Sequence, residues 1–270
     1  MTSSLGSLAS LHRNPVRSVM GEALNAAYVT PRGLFGGRSY TLHDSETGKV
    51  LSAKNPRNWP NLFSYDATYM SPPVAGSVVP SVRVTLPDGG FAVRSSPDFA
   101  PTLSATLGRA VTMRATPPQN ARLEEYWPEM TELAIRDVVT ERGMPAGTFF
   151  DLAALHVSTT GSLDKLRQLN PRSRFEPRRF RPSLIVETGG QDGFIEDDWI
   201  GKTLAIGPEV RIRLTGPCPR CMMTTLSQAD LPTDSAILKT VAHHNEARVG
   251  ANASVVQPGT IRVGGPLTTF

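Results

Sequence analysis

Hydrophobic and polar residues alternate in short runs along the first 95 residues, with turn residues between the runs. The run "SLASLHRNPVRSV" predicts a strand, and "SVRVTLPDGGFAV" predicts a hairpin because two alternating runs flank the turn residues "PDGG". The stretch "NAAYVTPRGLFGGRSYTLHDSETGKVLSAKNP" predicts three strands, separated by a glycine-rich turn and by "DSETGK". This alternation is typical of a β-barrel or a β-sandwich.

A different periodicity marks the few predicted helices. In "SPDFAPTLSATLGRAV", Pro101 suits a first helical turn, and Leu103, Leu107 and Val111 form a helical stripe. The segment "SLDKLRQL" predicts a short helix, and "SAILKTVAHHNEA" predicts an amphipathic one.

The second half returns to strand patterns. "RPSLIVET" predicts a buried strand, "DDWIGKTLAIG" and "VRIRLTGPCPRCMMTT" predict two more, and "ASVVQPGTIRVGGPL" predicts a closing hairpin. Residues 114–130 are polar and contain prolines, which favours a surface connection. We therefore predict a mostly β protein of the β-barrel type with a few short helices. Its first domain would span residues 1–113, its connection 114–130 and its second domain 131–270.

Composition narrows the class of protein. A chain of 270 residues can bury a core without disulfides or metal, and its net charge of +4 weakly favours an anionic ligand without indicating nucleic acid. Two cysteines are too few for a secreted disulfide scaffold, which favours the cytoplasm. The N-terminus lacks a signal-peptide pattern, and no apolar run approaches the roughly 20 residues of a spanning helix. We expect a soluble, cytoplasmic protein without a membrane partner.

The two cysteines, Cys218 and Cys221, lie in "GPCPRCMMTT" and allow several interpretations. A dithiol redox pair needs its first cysteine at a helix N-terminus, and no helical stripe follows here. A structural zinc site needs about four ligands, and the pair with His243 or His244 supplies only three. Two buried structural cysteines are the plainest alternative. The pair lies in a turn that contains prolines and an arginine, where the backbone is rarely deep in a core. The charge of Arg220 would favour a thiolate at Cys221. Both features support a reactive or ligating cysteine instead.

Basic and hydroxyl residues stand at the ends of several predicted strands, where side chains can converge on an anion. Each has an ordinary alternative, because surface arginines are usually solvated and a hydroxyl cluster before a helix is usually a cap. These candidate residues are Arg17, Ser18, Arg38, Ser158, Thr159, Thr160, Ser162, Arg179, Arg181 and Ser183.

Several separated motifs together resemble one known family. "NPVRSVMGEALNAAYVTPRGLFGGRSYTLHDSETGKVLSAK" resembles the N-terminal β-barrel domain that precedes many MOSC domains. "RFRPSLIV", "IEDDWIGKTLAIG", "CPRCMMTT" and "PGTIRVGGPL" resemble the MOSC domain itself, in the family's order. The resemblance covers most of the chain and is closest to the mitochondrial amidoxime reducing component and its bacterial counterparts. It implies an N-terminal MOSC-associated β-barrel domain followed by a MOSC β-barrel domain.

The resemblance also implies a molybdenum–molybdopterin cofactor and its binding residues. Cys221 matches the family's molybdenum-binding cysteine in the motif R-C-x-x-T-T and would be both metal ligand and catalytic residue. Glu196, Asp197 and Trp199 match an acidic motif that we expect to be structural. The residues that match those holding the cofactor's phosphate and pterin are Arg17, Ser18, Arg38, Thr159, Thr160, Arg181 and Ser183.

Two positions depart from the family pattern. Arg17 replaces a lysine but keeps the charge and can pair with phosphate, whereas Ser183 replaces an asparagine and has a shorter reach. No cysteines remain for an iron–sulfur cluster, which needs four, so electrons would come from a separate electron-transfer protein or reductase.

Three classes of function follow from this sequence. The first is a molybdenum-dependent oxidoreductase that reduces N-hydroxylated or N-oxide small molecules. The second is a sulfur carrier, in which a cysteine persulfide serves cofactor or metabolite biosynthesis. The third is a cofactor carrier without catalysis. We place the oxidoreductase first because the thiolate and the basic residues together suit a soft metal with an anionic cofactor.

Overall fold

Strands make up most of the ordered structure. The computed structural model describes residues 3–117, 119–144 and 147–270, and the mostly β fold with short helices is confirmed there. The strands are β1 Ser4–Arg13, β2 Glu22–Leu24, β3 Ala26–Thr30, β4 Gly33–Leu34, β5 Thr41–Asp44, β6 Asp66–Tyr69, β7 Val82–Thr85, β8 Phe91–Val93, β9 Val111–Arg114, β10 Arg122–Trp127, β11 Val138–Gly143, β12 Leu155–Thr159, β13 Leu184–Glu187, β14 Thr203–Ile206, β15 Val210–Pro219, β16 Arg248–Gln257, β17 Gly259–Arg262 and β18 Pro266–Thr269. The α-helices are α1 Phe99–Leu107, α2 Thr160–Leu169, α3 Pro177–Phe180 and α4 Ala236–Asn245.

Seven of these strands close into a barrel. Their order is β13, β12, β16, β15, β14, β18 and β1, and β1 pairs with β13 to complete the ring. Only β12 and β13 run parallel within the ring, and α2 lies in the connection between them. Closure matters because it removes the unpaired strand edges that an open sheet would present.

The barrel interior is filled by aliphatic side chains. Strands β12 and β13 are buried almost throughout, as expected for a parallel pair covered on both faces. Val157, Leu184 and Val186 are fully buried in the main core together with Leu214 and Leu267. A core of this kind orients the polar residues at the strand ends, because the strands that carry them cannot shift without opening cavities.

Strand β1 comes from the predicted first domain but belongs to the barrel. Leu8 and Leu11 point into the main core, and β1 pairs with β13 on one side and β18 on the other. A register shift between Leu8 and Ser10 bends the strand as it joins β13. The boundary between the domains at residues 113 and 114 stays a prediction, and the chain's first strand packs with the second domain.

Strands β5 to β9 form small sheets around a second core, whereas β3 and β4 pack against the main core. The predicted hairpin is confirmed as β7 and β8, which extend β6, and β5 pairs with β9. The predicted first helix is confirmed as α1, with Leu103 buried, and it ends at the left-handed Gly108. Leu103 packs in this core with Phe63 and Val84, so the helix is held against the sheets.

The surface connection predicted over residues 114–130 stays a prediction, and part of it is a regular strand. Strand β10 lies inside it and pairs along its length with β11. Leu123 and Glu125 are buried while their neighbours are more exposed, so alternation is present but is hidden by charged residues. Pro118, in the same segment, lies outside the described residues.

Two further local predictions are wrong. The closing hairpin is absent from the described pairings, because β16 pairs with β12 and β15 while β17 pairs with β3. The strand expected after Cys221 is a 3₁₀ helix over Met222–Thr225. The hydroxyls of Thr224 and Thr225 donate to the carbonyls of Cys221 and Met222, which stabilises the tight turn over an extended strand. None of the helices in the described ranges is long and apolar enough to cross a membrane.

Candidate functional site

A cavity lies between the N-terminal half and one end of the barrel. The barrel contributes residues at strand ends, among them His156 near the start of β12, Ser183 just before β13 and Cys218 near the end of β15. The N-terminal half contributes Arg17 and Arg38 from the loops that follow β1 and β4. The cavity is therefore shared by the two halves of the chain.

Most of the predicted site residues meet at this cavity. Those that line it are Arg17, Ser18, Arg38, Arg181, Ser183 and Cys221. Ser183 also receives a hydrogen bond at 3.3 Å from the backbone amide of His156. These six residues come from four separate chain segments and converge on one space.

Thr159 and Thr160 do not line this cavity. Thr159 lies three residues beyond His156 on β12, roughly 10 Å along the strand. Its hydroxyl caps α2 by accepting the amide of Ser162 and donates to Glu196 at 2.6 Å. Thr160 contacts the hydroxyl of Thr188. In this structure Thr159 therefore acts as a helix cap, which is the usual role of a hydroxyl cluster before a helix.

Glu196, Asp197 and Trp199 do not line the cavity and instead form packing contacts and hydrogen bonds within the fold. Glu196 is fully buried, and burial raises its carboxyl pKa despite hydrogen bonds from Ser162 and Thr159. Trp199 is buried in the main core, and Asp197 accepts a hydrogen bond from Asn245 at 3.1 Å. Their positions agree with the structural role predicted for these residues.

Three of the cavity residues hold a strained backbone. Ser18, Arg38 and Arg181 have positive φ angles of 62°, 48° and 54°, in the left-handed region that side chains other than glycine rarely adopt. Such conformations typically cost about 1–3 kcal/mol each and concentrate at functional sites. The strain indicates that the surrounding fold holds these particular side chains toward the cavity.

Arg181 is partly buried, and it has no acidic partner within ion-pair distance among the described residues. Its guanidinium donates to the Val19 carbonyl at 2.9 Å and lies 5.1 Å from the centre of the Phe63 ring. Burial and the nearby charge of Arg38 lower the Arg181 pKa to about 9. A partly buried cation of this kind favours an anionic ligand.

Asp151 lies among the cations of the cavity, which the sequence analysis missed. Arg17 contacts its carboxylate at 2.5 Å, and Lys54 and Arg38 approach at 3.8 and 3.9 Å. Burial alone would raise the carboxyl pKa, but the charges of Arg17, Lys54 and Arg38 hold it well below the usual range. Asp151 is therefore ionised, and it follows the unpatterned segment "GTFF", which carries no signal for this role.

The two cysteines both line the cavity but have different surroundings. Arg220, expected to favour the thiolate of Cys221, instead donates to Cys218 Sγ at 3.0 Å. Burial opposes the Cys218 thiolate, but His156, Arg220 and Arg38 outweigh it and lower its pKa to about 6. Burial raises the pKa of Cys221 despite the charge of Lys54. The surroundings therefore favour a thiolate on Cys218 more than on Cys221.

His156 and Arg220 are themselves held by the backbone. His156 Nε2 lies 3.2 Å from the Val249 carbonyl oxygen, and Arg220 donates to the Phe180 carbonyl at 2.8 Å. Sequence reasoning missed the role of His156, although it stands directly before the hydroxyl cluster. In the described part of the chain, no three His, Cys, Asp or Glu side chains are grouped to hold a metal ion.

Comparisons with known proteins agree with this architecture. The family model described as "MOSC domain" matches residues 146–268. The YuaD protein from Bacillus subtilis aligns with a TM-score of 0.50 and 10% identity, over 100% of this chain and 96% of that one. YiiM from Geobacillus stearothermophilus aligns with a TM-score of 0.32 and 20% identity, over 44% of this chain and 54% of that one. The likeness to YuaD shows the fold alone, and none of the curated proteins compared with the chain matches it.

Proposed function

Because residues 146–268 form a MOSC domain, we propose that this chain is a molybdenum-cofactor-dependent oxidoreductase. Its substrates would be N-hydroxylated or N-oxide small molecules, and its electrons would come from a separate electron-transfer protein or reductase. MOSC domains are associated in general with proteins that bind the molybdopterin cofactor. The observation that carries the proposal is the convergence of Cys221 with Arg17, Arg38 and Arg181 on one cavity.

The donor set of the cavity fits this cofactor. A cysteine sulfur is a soft ligand suited to molybdenum, and an adjacent metal would keep Cys221 deprotonated although burial alone raises its pKa. The phosphate tail needs cations and hydroxyls, which Arg17, Arg38 and Ser18 supply. Arg181 lacks an acidic partner among the described residues and would gain one in an anionic ligand.

Each cavity residue then has a defined task. When bound, the cofactor supplies the two-electron chemistry and the protein supplies position and charge. Cys221 would hold the metal, while Arg17, Arg38 and Arg181 would orient and neutralise the anionic part. Arg220 would supply positive charge and hydrogen-bond donors on the Cys218 side of the cavity, next to His156, where a substrate's departing oxygen could be stabilised.

The two cysteines provide the decisive test. Cys221→Ser replaces a thiolate by a harder and far less acidic oxygen, so we expect molybdenum content and activity to be lost almost completely. Cys218→Ser should leave molybdenum content and most activity intact. The measurements are molybdenum per protein after growth with molybdate, and reduction of an N-hydroxylated substrate with a chemical electron donor. Loss in Cys218→Ser alone would reverse the assignment of the ligand.

A sulfur carrier is the second candidate, and the surroundings of Cys218 favour it. A thiolate beside Arg220 and His156 is a good acceptor of sulfur, because the anionic form is the nucleophile. If this function is the correct one, mass spectrometry should find a persulfide on Cys218 or Cys221 in protein that contains no molybdenum. A metal-loaded protein without a persulfide would favour the oxidoreductase.

A further inference from the structure

The carboxylate of Asp151 stands where an anionic ligand of this cavity would be expected. Arg17 contacts it at 2.5 Å, and Lys54, Arg38 and Arg142 lie at 3.8, 3.9 and 3.9 Å. These cations come from the N-terminal half and from β11, so four separate chain segments meet at one carboxylate. A phosphate group would need the same donors.

The cavity that Asp151 lines is also smaller than typical sites for drug-sized ligands. Its volume is about 110 Å³, whereas sites for drug-sized ligands have about 300–1,000 Å³. A second cavity of about 780 Å³ adjoins it, and Arg38 and Phe150 line both. The segment that carries Asp151 therefore forms part of the wall between the two spaces.

This segment can move without breaking a strand or helix. Residues 147–154 contain neither element, and they connect β11 to β12. Phe149 is buried and anchors the segment, whereas Leu152 is 52% exposed. Besides the ion pairs of the carboxylate, Asp151 is held by Arg142, which donates to its carbonyl at 2.9 Å.

We propose that Asp151 is an internal competitor for the anion site, and that an incoming ligand must displace its carboxylate. The displacement favours anions with more than one negative charge. A singly charged anion only replaces one negative charge by another, whereas a dianion gains an additional attraction to the cations. The inference rests on the proposed function in one respect, because the physiological competitor would be the phosphate of the cofactor. Asp151 thereby determines which anions the cavity accepts.

The test compares the binding of inorganic pyrophosphate and acetate to the full chain by calorimetry. In Asp151→Asn the competing charge is gone, and we expect pyrophosphate to bind about tenfold tighter or more, the ratio typical of one hydrogen bond between charged groups. Acetate, which should hardly bind the wild type, should become a measurable ligand. The matched control is Asp137→Asn, because Asp137 is an exposed partner of Arg57 outside the cavity. It should bind both anions as the wild type does.

Unchanged or weaker pyrophosphate binding in Asp151→Asn would overturn the proposal, since Asp151 would then only orient Arg17 and Arg38. A second measurement uses the wild type alone and does not depend on the stability of the variant. Hydrogen exchange in residues 147–154 should become faster when pyrophosphate is added, and slower or unchanged exchange would contradict displacement. A wild-type protein that never binds molybdenum would disprove the proposed function, while the pyrophosphate data would still decide the role of Asp151.

Discussion

At the residue scale, two cysteines only three positions apart differ in the charges that surround them. Arg220 donates to Cys218 Sγ at 3.0 Å, and His156 lies on the same side of the cavity. The charges of His156 and Arg220 lower the pKa of Cys218 against burial, whereas burial raises the pKa of Cys221. Residues that are close in sequence can have different charges around them, because side chains on successive extended residues point to opposite faces.

This difference predicts a pH-dependent alkylation of Cys218. A thiol reacts as its thiolate, so the rate of iodoacetamide labelling at Cys218 should be half-maximal near pH 6, the pKa to which His156, Arg220 and Arg38 lower it against burial. Labelling should fall as pH falls through that value. Peptide mass spectrometry of ligand-free protein measures both cysteines, and Cys221 should label only at higher pH.

The variant Arg220→Gln should move the midpoint of Cys218 labelling to higher pH, since it removes the cation 3.0 Å from the sulfur. Arg213→Gln is the matched control, because Arg213 is an exposed arginine on β15, the strand that carries Cys218. A midpoint near that of a free cysteine in the wild type would show that Cys218 is no thiolate at neutral pH.

At the element scale, the irregular pairing of β15 with β16 shapes the cavity. The register shifts between Leu214 and Gly216 and again between Pro217 and Pro219, and such bulges redirect the side chains next to them. Asn252 donates to the Pro217 carbonyl at 2.9 Å and supports the bent strand end. Opposite this bend, Gly250 gives the His156 ring the space it needs.

Replacing Gly250 should destabilise the protein through both backbone and contact. Gly250 has a φ of +82°, and a Cβ there would lie 2.1 Å from His156 Nε2 and 2.7 Å from the Val157 carbonyl oxygen. We expect Gly250→Ala to lower the free energy of unfolding by roughly 2–4 kcal/mol, the range of a clash added to backbone strain. Chemical denaturation measures this change.

Gly264→Ala is the control for the backbone contribution. Gly264 has nearly the same φ, +83°, but a Cβ there meets no atom within 4 Å. Its loss of stability should be about 1–2 kcal/mol, as expected for the left-handed conformation alone. Equal losses in the two variants would mean that the space beside His156 is not required.

At the scale of the whole molecule, the first strand completes a barrel whose other members lie more than 140 residues later in the chain. Strand β1 occupies the place between β13 and β18. Without it, two strand edges and the side chains that pack on Leu8 and Leu11 would face water. The barrel, most of whose strands lie within the range matched by the MOSC domain model, is thus completed by residues far outside that range.

We therefore expect a fragment of residues 131–270 to lack a cooperative thermal transition and to retain no cofactor. Deleting residues 1–95 should have the same effect, because it removes β1 together with Arg17 and Arg38. Circular dichroism and size-exclusion chromatography monitor folding, and adding a peptide of residues 3–13 should restore part of it. A fragment that melts like the full chain would refute the dependence on β1.

Local structure was accessible from the sequence where a few neighbouring residues decide it. The hairpin of β7 and β8, helix α1 and helix α2 were predicted because turn residues, capping residues and periodicity act over short distances. The same local reasoning failed for β10, whose alternation is hidden by charged residues, and at Met222–Thr225, where hydroxyl groups stabilise a turn. Local patterns are unreliable where side chains compete for the backbone or where charged residues occupy buried positions.

The sequence by itself determined the β-rich class, the resemblance to the family and some of the side chains that meet at the cavity, Arg17, Arg38 and Cys221 among them. Only the tertiary structure decided which strand closes the barrel, since that pairing joins residues as distant as Ser7 and Glu187. It also directed Thr159 toward Glu196 and placed Asp151 among the cations. The physical reason is that long-range pairing, burial and the direction of a charged side chain depend on the whole fold, whereas a sequence pattern reports only on its own segment.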